Sequence, residues 1–143
     1  DPGIDQSPAQ PYIGTEVAAQ LLGAIKIIVD EGYADVVFTG VNAYPPNHET
    51  LCSYHTPGDR NIVKDNTDDY HGKPVNEWIK QPFTELTKDK IIKLADELNV
   101  LDPISELSHS CVEVIRGRCG ECFWCKEREW GFSSTGHTDI GTN

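Results

Sequence analysis

The stretch Ala34-Asp35-Val36-Val37-Phe38-Thr39, running into Gly40-Val41-Asn42-Ala43, decides how this chain reads. A short β-branched, apolar run bounded by glycine predicts a buried strand, and its lack of alternation points to a parallel sheet. Upstream, Val17, Leu21, Leu22, Ile25, Ile28 and Val29 recur at helical spacing, with Thr15 as the expected N-cap and Gly32 as the stop. Helix, short loop, buried strand and glycine-led loop form the repeating unit of a doubly wound α/β fold, where ligands bind at the carboxyl ends of strands. Asn42 stands at such an end and is a candidate ligand contact. The same residue in a turn can equally serve only its local backbone.

Working outward, Lys80 to Leu86 predicts another short strand. Thr87 then caps a second helix, Lys88 to Leu98, with Ile91, Ile92, Leu94, Ala95 and Leu98 on one face and Asp102-Pro103 as the stop. Lys88, at the start of that helix, can meet phosphate beside free N–H groups; the alternative is a solvated first-turn lysine. Tyr44 to Asn76 is a long polar stretch with four prolines, three histidines and the acids Asp65, Asp68 and Asp69. The irregular spacing of His48, His55 and His71 fits exposed loop residues better than a metal site, and the three acids read as a solvated face. Residues 1–14 read as a linker or ragged edge, 15–106 as part of an α/β domain, 107–132 as a metal-binding segment and 133–143 as a disordered tail.

The 143 residues suit one domain with a real core. Twenty-three acidic against 12 basic residues give a net charge of −11, which argues against nucleic acid and anionic membranes as partners. Small neutral or zwitterionic molecules, or a protein, fit better. No run approaches the roughly 20 apolar residues of a membrane helix, and no basic-then-apolar leader is visible. A reducing, cytoplasmic setting is therefore expected. The chain contains no methionine, so it reads as a piece of a longer protein.

The C-terminal part carries the chemistry. Cys111 is followed after seven residues by Cys119-Gly120-Glu121-Cys122-Phe123-Trp124-Cys125, two overlapping C-x-x-C units plus one upstream cysteine. Four soft donors at this spacing suit one tetrahedral zinc ion, closed to water and hence structural. A disulfide pair would need an oxidising compartment, and a thioredoxin-type pair would leave two thiols unexplained. An iron–sulfur cluster uses the same four thiolates and stays open. Around the cluster the charges cancel: Glu113, Glu121, Glu127 and Glu129 stand against Arg116, Arg118, Lys126 and Arg128. Trp78, Trp124 and Trp130 can stack on a flat base, although tryptophans beside such a knuckle usually pack it. Cys52 is left over, either as a half-buried thiol or as a pocket residue in the long loop.

The run Ser110-Cys111, Cys119-Gly120-Glu121-Cys122, Cys125, Arg128 and Phe132 resembles the C-terminal signature of the 7-cyano-7-deazaguanine synthases. Thr39-Gly40-Val41-Asn42-Ala43, Pro82-Phe83-Thr84-Glu85-Leu86-Thr87-Lys88 and Asn99-Val100-Leu101 resemble that family in order and spacing, so the likeness spans about Tyr12 to Phe132. It implies a Rossmann-like, adenine nucleotide alpha hydrolase-like parallel sheet, incomplete at the N-terminus, with a C-terminal four-cysteine zinc knuckle. It also implies a PP-loop ligase that uses Mg-dependent ATP and ammonia to turn 7-carboxy-7-deazaguanine into 7-cyano-7-deazaguanine, as in queuosine biosynthesis. Asn42 and Lys88 become the expected substrate contacts, Cys111, Cys119, Cys122 and Cys125 the structural zinc ligands, and a homodimer is compatible with the reading. Two features depart from the family. No Ser-Gly-Gly-x-Asp-Ser loop for ATP occurs in these residues, and Ile13-Gly14-Thr15 stands where an Arg-Asn pair is expected. The alternative reading is a non-catalytic, zinc-stabilised binding module derived from the same fold.

Overall fold

The computed structural model describes residues 13–53, 60, 69–70, 73–111 and 117–141. Of the expected linker at 1–14, residues 1–12 lie outside the described residues and 13–14 open a helix; the side chains of His55, Asp65, Asp68 and His71 also lie outside the described residues. Two compact units divide the chain: residues 1–39 with 61–80, and residues 40–60 with 81–143. This division cuts across the continuous 15–106 segment that the sequence suggests.

In the first unit the predicted helix forms as α1 (Ile13–Asp30). It begins before Thr15, which lies inside the first turn instead of capping it. Its end is as expected: Gly32 adopts φ +70°, and the N–H groups of Gly32 and Tyr33 return to the carbonyls of Val29 and Ile28 at 3.1 and 3.0 Å. That pair of bonds satisfies carbonyls the helix would otherwise leave open, and it needs a left-handed residue at Gly32.

The decisive strand is shorter than its sequence run. β1 (Val37–Phe38) pairs in parallel with a later strand, Ile79–Lys80, with Val37 opposite Ile79 and Phe38 opposite Lys80. Between them come β2 (Asp69–Tyr70), β3 (Lys73–Pro74) and the single-turn α3 (Val75–Trp78), so Ile79–Lys80 is β4. β2 and β3 pair antiparallel, inside the long polar stretch where the sequence suggests no strand. Thr39 N–H extends the parallel ladder to the Lys80 carbonyl at 2.9 Å. The parallel pairing agrees with the sequence, but full burial does not. Alternation along β1 turns Val37 inward and leaves Phe38 71% exposed. Val37 and Val29 pack against the buried cluster of Ile25, Val75, Trp78 and Ile79, each such side chain contributing roughly 1.5–3 kcal/mol.

The strand expected over Lys80 to Leu86 ends after one residue. Pro82 has no N–H for a ladder, and the chain turns twice instead, Thr84 N–H reaching the Gln81 carbonyl at 3.4 Å and Leu86 N–H the Phe83 carbonyl at 2.9 Å. Both turns belong to the second unit, which also contains α2 (His48–Leu51), α4 (Lys88–Glu97), α5 (Leu101–Leu107) and α6 (Phe123–Thr135). Ala43 N–H bonds the Leu86 carbonyl at 2.9 Å, tying the segment that follows β1 to the start of α4. Asn99, at φ 58°, stops α4, its N–H and that of Val100 closing on Asp96 and Ala95 at 2.9 Å each. Asp102-Pro103, read as a stop, therefore opens α5: a proline in a first turn forfeits no helical hydrogen bond.

Ile92, Ala95, Leu101 and Phe132 form the core here, where α4 lies on α6. The close approach depends on Gly131, whose added Cβ would sit 2.7 Å from Lys88 Cγ and 2.9 Å from Ile92 Cδ1. Beyond α6 the chain is not the tail that the sequence suggests. Asp139 accepts hydrogen bonds from Ser105, Arg118 and Arg128.

Gly131→Ala should favour the α6 helix by ~1 kcal/mol. The overpacking against Lys88 and Ile92 costs more, so a net loss on the order of 1 kcal/mol is expected in urea unfolding. Unchanged or raised stability would show that the interface has slack.

Candidate functional site

Three short segments deliver four thiols to one point. Cys111 follows α5, Cys119 and Cys122 flank a turn, and Cys125 lies in the first turn of α6. Gly120, at φ +76°, gives that turn a conformation other residues adopt only under strain. Cys119 N–H points to Cys111 Sγ at 3.4 Å, and Cys122 N–H to Cys119 Sγ at 3.3 Å. Burial would raise the Cys119 thiol, but the N–H groups of Cys122 and Glu121 and the neighbouring thiols draw it down to about 7. Cys125 is pushed up to about 12, first by burial and then by the thiols of Cys122 and Cys111.

The four sulfur atoms all lie within 4.8 Å of one another, with Cys119 and Cys125 at 3.9 Å. A tetrahedral zinc with Zn–S bonds of about 2.3 Å requires sulfur separations of roughly 3.8 Å. The donor set therefore fits a metal ion such as zinc, and all five cysteines of the chain are free of disulfides. Cys52 stands outside the four. It is buried, and its Sγ donates to the Glu121 carbonyl at 3.6 Å, bracing the turn that carries Cys119 and Cys122.

Two residues beyond Cys125 on α6 is a buried carboxylate. Glu127 has no exposed side-chain surface. Arg60 grips it with two hydrogen bonds, Nη1 to Oε1 at 2.7 Å and Nη2 to Oε2 at 3.1 Å. Asn42 Nδ2 donates to Oε1 at 3.1 Å, and Lys88 Nζ stands 3.7 Å from Oε2. The guanidinium of Arg60 lies over the Tyr44 ring, 3.9 Å from its centre, and Tyr44 meets Phe123 edge-on. Burial lowers the Lys88 pKa; Glu127 opposes this, while Arg60 and Arg128 reinforce it.

The two polar residues singled out from sequence thus converge on one carboxylate. Asn42 is buried, with its amide nitrogen committed to Glu127 and, at 2.8 Å, to the Ala43 carbonyl. That leaves Oδ1 as the group it can offer a ligand. Lys88 is half-buried and begins α4, with the carboxylate as its ion partner. Sequence reasoning missed Glu127 and Arg60. Glu127 lies in Lys126-Glu127-Arg128-Glu129, which looks like a solvated charge run, and Arg60 carries no local pattern at all. His48 proves half-buried, stacked on Tyr44 with Nδ1 3.0 Å from the Pro45 carbonyl.

A family model described as Queuosine biosynthesis protein QueC matches residues 58–136, a span that holds Arg60, Lys88, the four cysteines and Glu127. Over 61 residues the chain is 43% identical to the 7-cyano-7-deazaguanine synthase of Methanobrevibacter smithii, covering 43% of this chain and 26% of that protein. Over 63 residues it is 36% identical to the 7-cyano-7-deazaguanine synthase of Gloeobacter violaceus, covering 43% of this chain and 27% of that protein. The chain thus spans about a quarter of the length of the curated relatives it matches. No solved structure matches it.

Two outcomes follow from this geometry. Elemental analysis of the purified protein should give about one zinc per chain, and chelation should expose the segment between Leu107 and Phe132 to protease; iron with visible absorbance would assign the thiols to a cluster instead. Glu127→Ala should cost about 3–5 kcal/mol in denaturant unfolding, because Arg60 and Lys88 then face each other uncompensated. A loss below 1 kcal/mol would mean that water reaches the two cations.

Proposed function

The chain belongs to the QueC family of queuosine biosynthesis proteins, and on that footing we propose that it supplies the zinc-bearing C-terminal part of an ATP-dependent 7-cyano-7-deazaguanine synthase. The observation that carries this reading is the closed four-thiol cluster, formed within the span that the family model matches. In the proposed reaction ATP adenylates the carboxylate of 7-carboxy-7-deazaguanine with loss of pyrophosphate, and ammonia displaces AMP to give the amide. A second adenylation, now on the amide oxygen, lets AMP leave with that oxygen as the nitrile forms. Zinc held by Cys111, Cys119, Cys122 and Cys125 is structural, because four thiolates leave no position for water or substrate.

Lys88 and Asn42 are the proposed substrate contacts. The Lys88 ammonium has Glu127 as its ion partner at 3.7 Å, longer than a hydrogen bond, so it has donors left for a carboxylate or phosphate oxygen. Asn42 Oδ1 is an acceptor for the N–H groups of a deazaguanine ring. Glu127 and Arg60 keep both residues in place. The proposed setting is the cytoplasm, with the protein acting as a single chain or homodimer. No helix among the described residues is long and apolar enough to cross a membrane.

The test is turnover by the protein that contains this chain, given 7-carboxy-7-deazaguanine, Mg-ATP and ammonium. Mass spectrometry should find the nitrile, with AMP released. Lys88→Ala should lower kcat/KM by about 100-fold, near 2.7 kcal/mol, while metal content stays the same. Binding of the deazaguanine without ATP consumption would establish the non-catalytic, zinc-stabilised module instead.

A further inference from the structure

We propose that residues 137–141, beyond the span the family model matches, form a strap that positions the metal site, with Asp139 as its positioning residue; the metal part of this inference rests on the zinc reading above. Asp139 is 13% exposed. Its carboxylate accepts from Arg118 Nη1, from Arg128 Nε at 2.7 Å and Nη2 at 2.8 Å, from Ser105 Oγ at 2.8 Å, and from the Gly141 N–H at 3.1 Å. Burial alone would raise its pKa, but the hydrogen bonds from Arg128, Ser105 and Arg118 outweigh burial and hold the carboxyl well below the usual range. Arg128, almost fully buried, then spends its remaining donors on Ser108 O at 2.8 Å, Ser108 Oγ at 2.9 Å and Ser105 O at 2.6 Å.

The placement of these partners is what makes the strap more than a docked tail. Ser108 precedes Cys111 by three residues, Arg118 adjoins Cys119, and Arg128 follows Cys125 by three residues on α6. Each segment that delivers a thiol is therefore anchored, within about one turn, to Asp139 or to the arginine it holds. The seat is also closed to other residues: a Cβ on Gly141 would come within 2.0 Å of the Ser105 carbonyl oxygen and 2.5 Å of Arg128 Nη2. Hydrogen-bonded groups that orient metal ligands without touching the ion typically change metal affinity 10–100-fold when removed.

Arg118→Ala is the cleanest probe. Among the described residues Arg118 bonds only Asp139, and its side chain is a quarter exposed, so its loss uncouples the cysteine turn without opening the α5–α6 contact. In the intact protein, zinc release to a chromogenic chelator should be about tenfold faster for Arg118→Ala, partly restored in Arg118→Lys. Hydrogen exchange at the Cys119 and Cys122 amides should accelerate in Arg118→Ala and Asp139→Asn, while α4 amides keep wild-type protection. Wild-type release and wild-type exchange in folded Arg118→Ala would overturn the strap. If the wild-type protein carries no metal, the zinc reading falls by itself. The exchange at Cys119 and Cys122 then decides the strap alone: acceleration supports it, and wild-type rates overturn it.

Discussion

A carboxylate with no contact with water needs cations brought to it, and in the second unit Glu127 imposes that demand. Ionised and buried, it would cost several kcal/mol if left alone. Two hydrogen bonds from Arg60, one from Asn42 and the nearby charge of Lys88 meet that cost. These partners come from segments far apart in sequence, so satisfying one group fixes the loop after β1, the start of α4 and the first turns of α6 relative to one another. Gly131 completes the arrangement by letting α4 come close enough for Lys88 to reach. Replacing the set with apolar residues could be as stable, but it would not place an ammonium and an amide oxygen together. The proposed substrate contacts would give the charged arrangement a role that stability alone does not.

What the sequence makes legible is what rests on apolar spacing or on short-range geometry. α1 and α4 show their periodicity, and β1 shows its β-branched run. The four thiols can be grouped from their spacing alone, because close separation along the chain limits where the sulfurs can go. The remainder depends on long-range pairing. β1 packs Val37 against Ile25, Val75, Trp78 and Ile79 while Phe38 stays exposed, and these partners lie too far along the chain for a local pattern to record. Pro103 reads as a stop until Asn99 is seen to have ended α4 already. α6 escapes pattern reading altogether, since Glu127, Arg128 and Gly131 are among its buried positions. Charged residues count as solvent-facing in any hydropathy argument, and these two are inside only because Arg60 and Asp139 meet them there.

The geometry of α6 links the thiol cluster to the candidate substrate residues. At 100° per residue, Cys125, Arg128 and Phe132 fall within about 60° of one another, and Phe123, Glu127 and Gly131 fall within about 80° of one another, centred roughly 130° away. The first face holds a thiol, the strap's arginine and a core ring; the second holds the buried carboxylate and the glycine on which Lys88 rests. A rigid helix cannot turn one face without turning the other. A metal held by Cys122 and Cys125 at its N-terminus, as proposed, would join Asp139, which grips Arg128 one turn later, in setting both the rotation and the height of the helix. The position of Glu127, and through it of Arg60, Asn42 and Lys88, follows. On the proposed function, a metal shell closed to substrate would thus still bear on the substrate contacts, by holding the helix that carries Glu127.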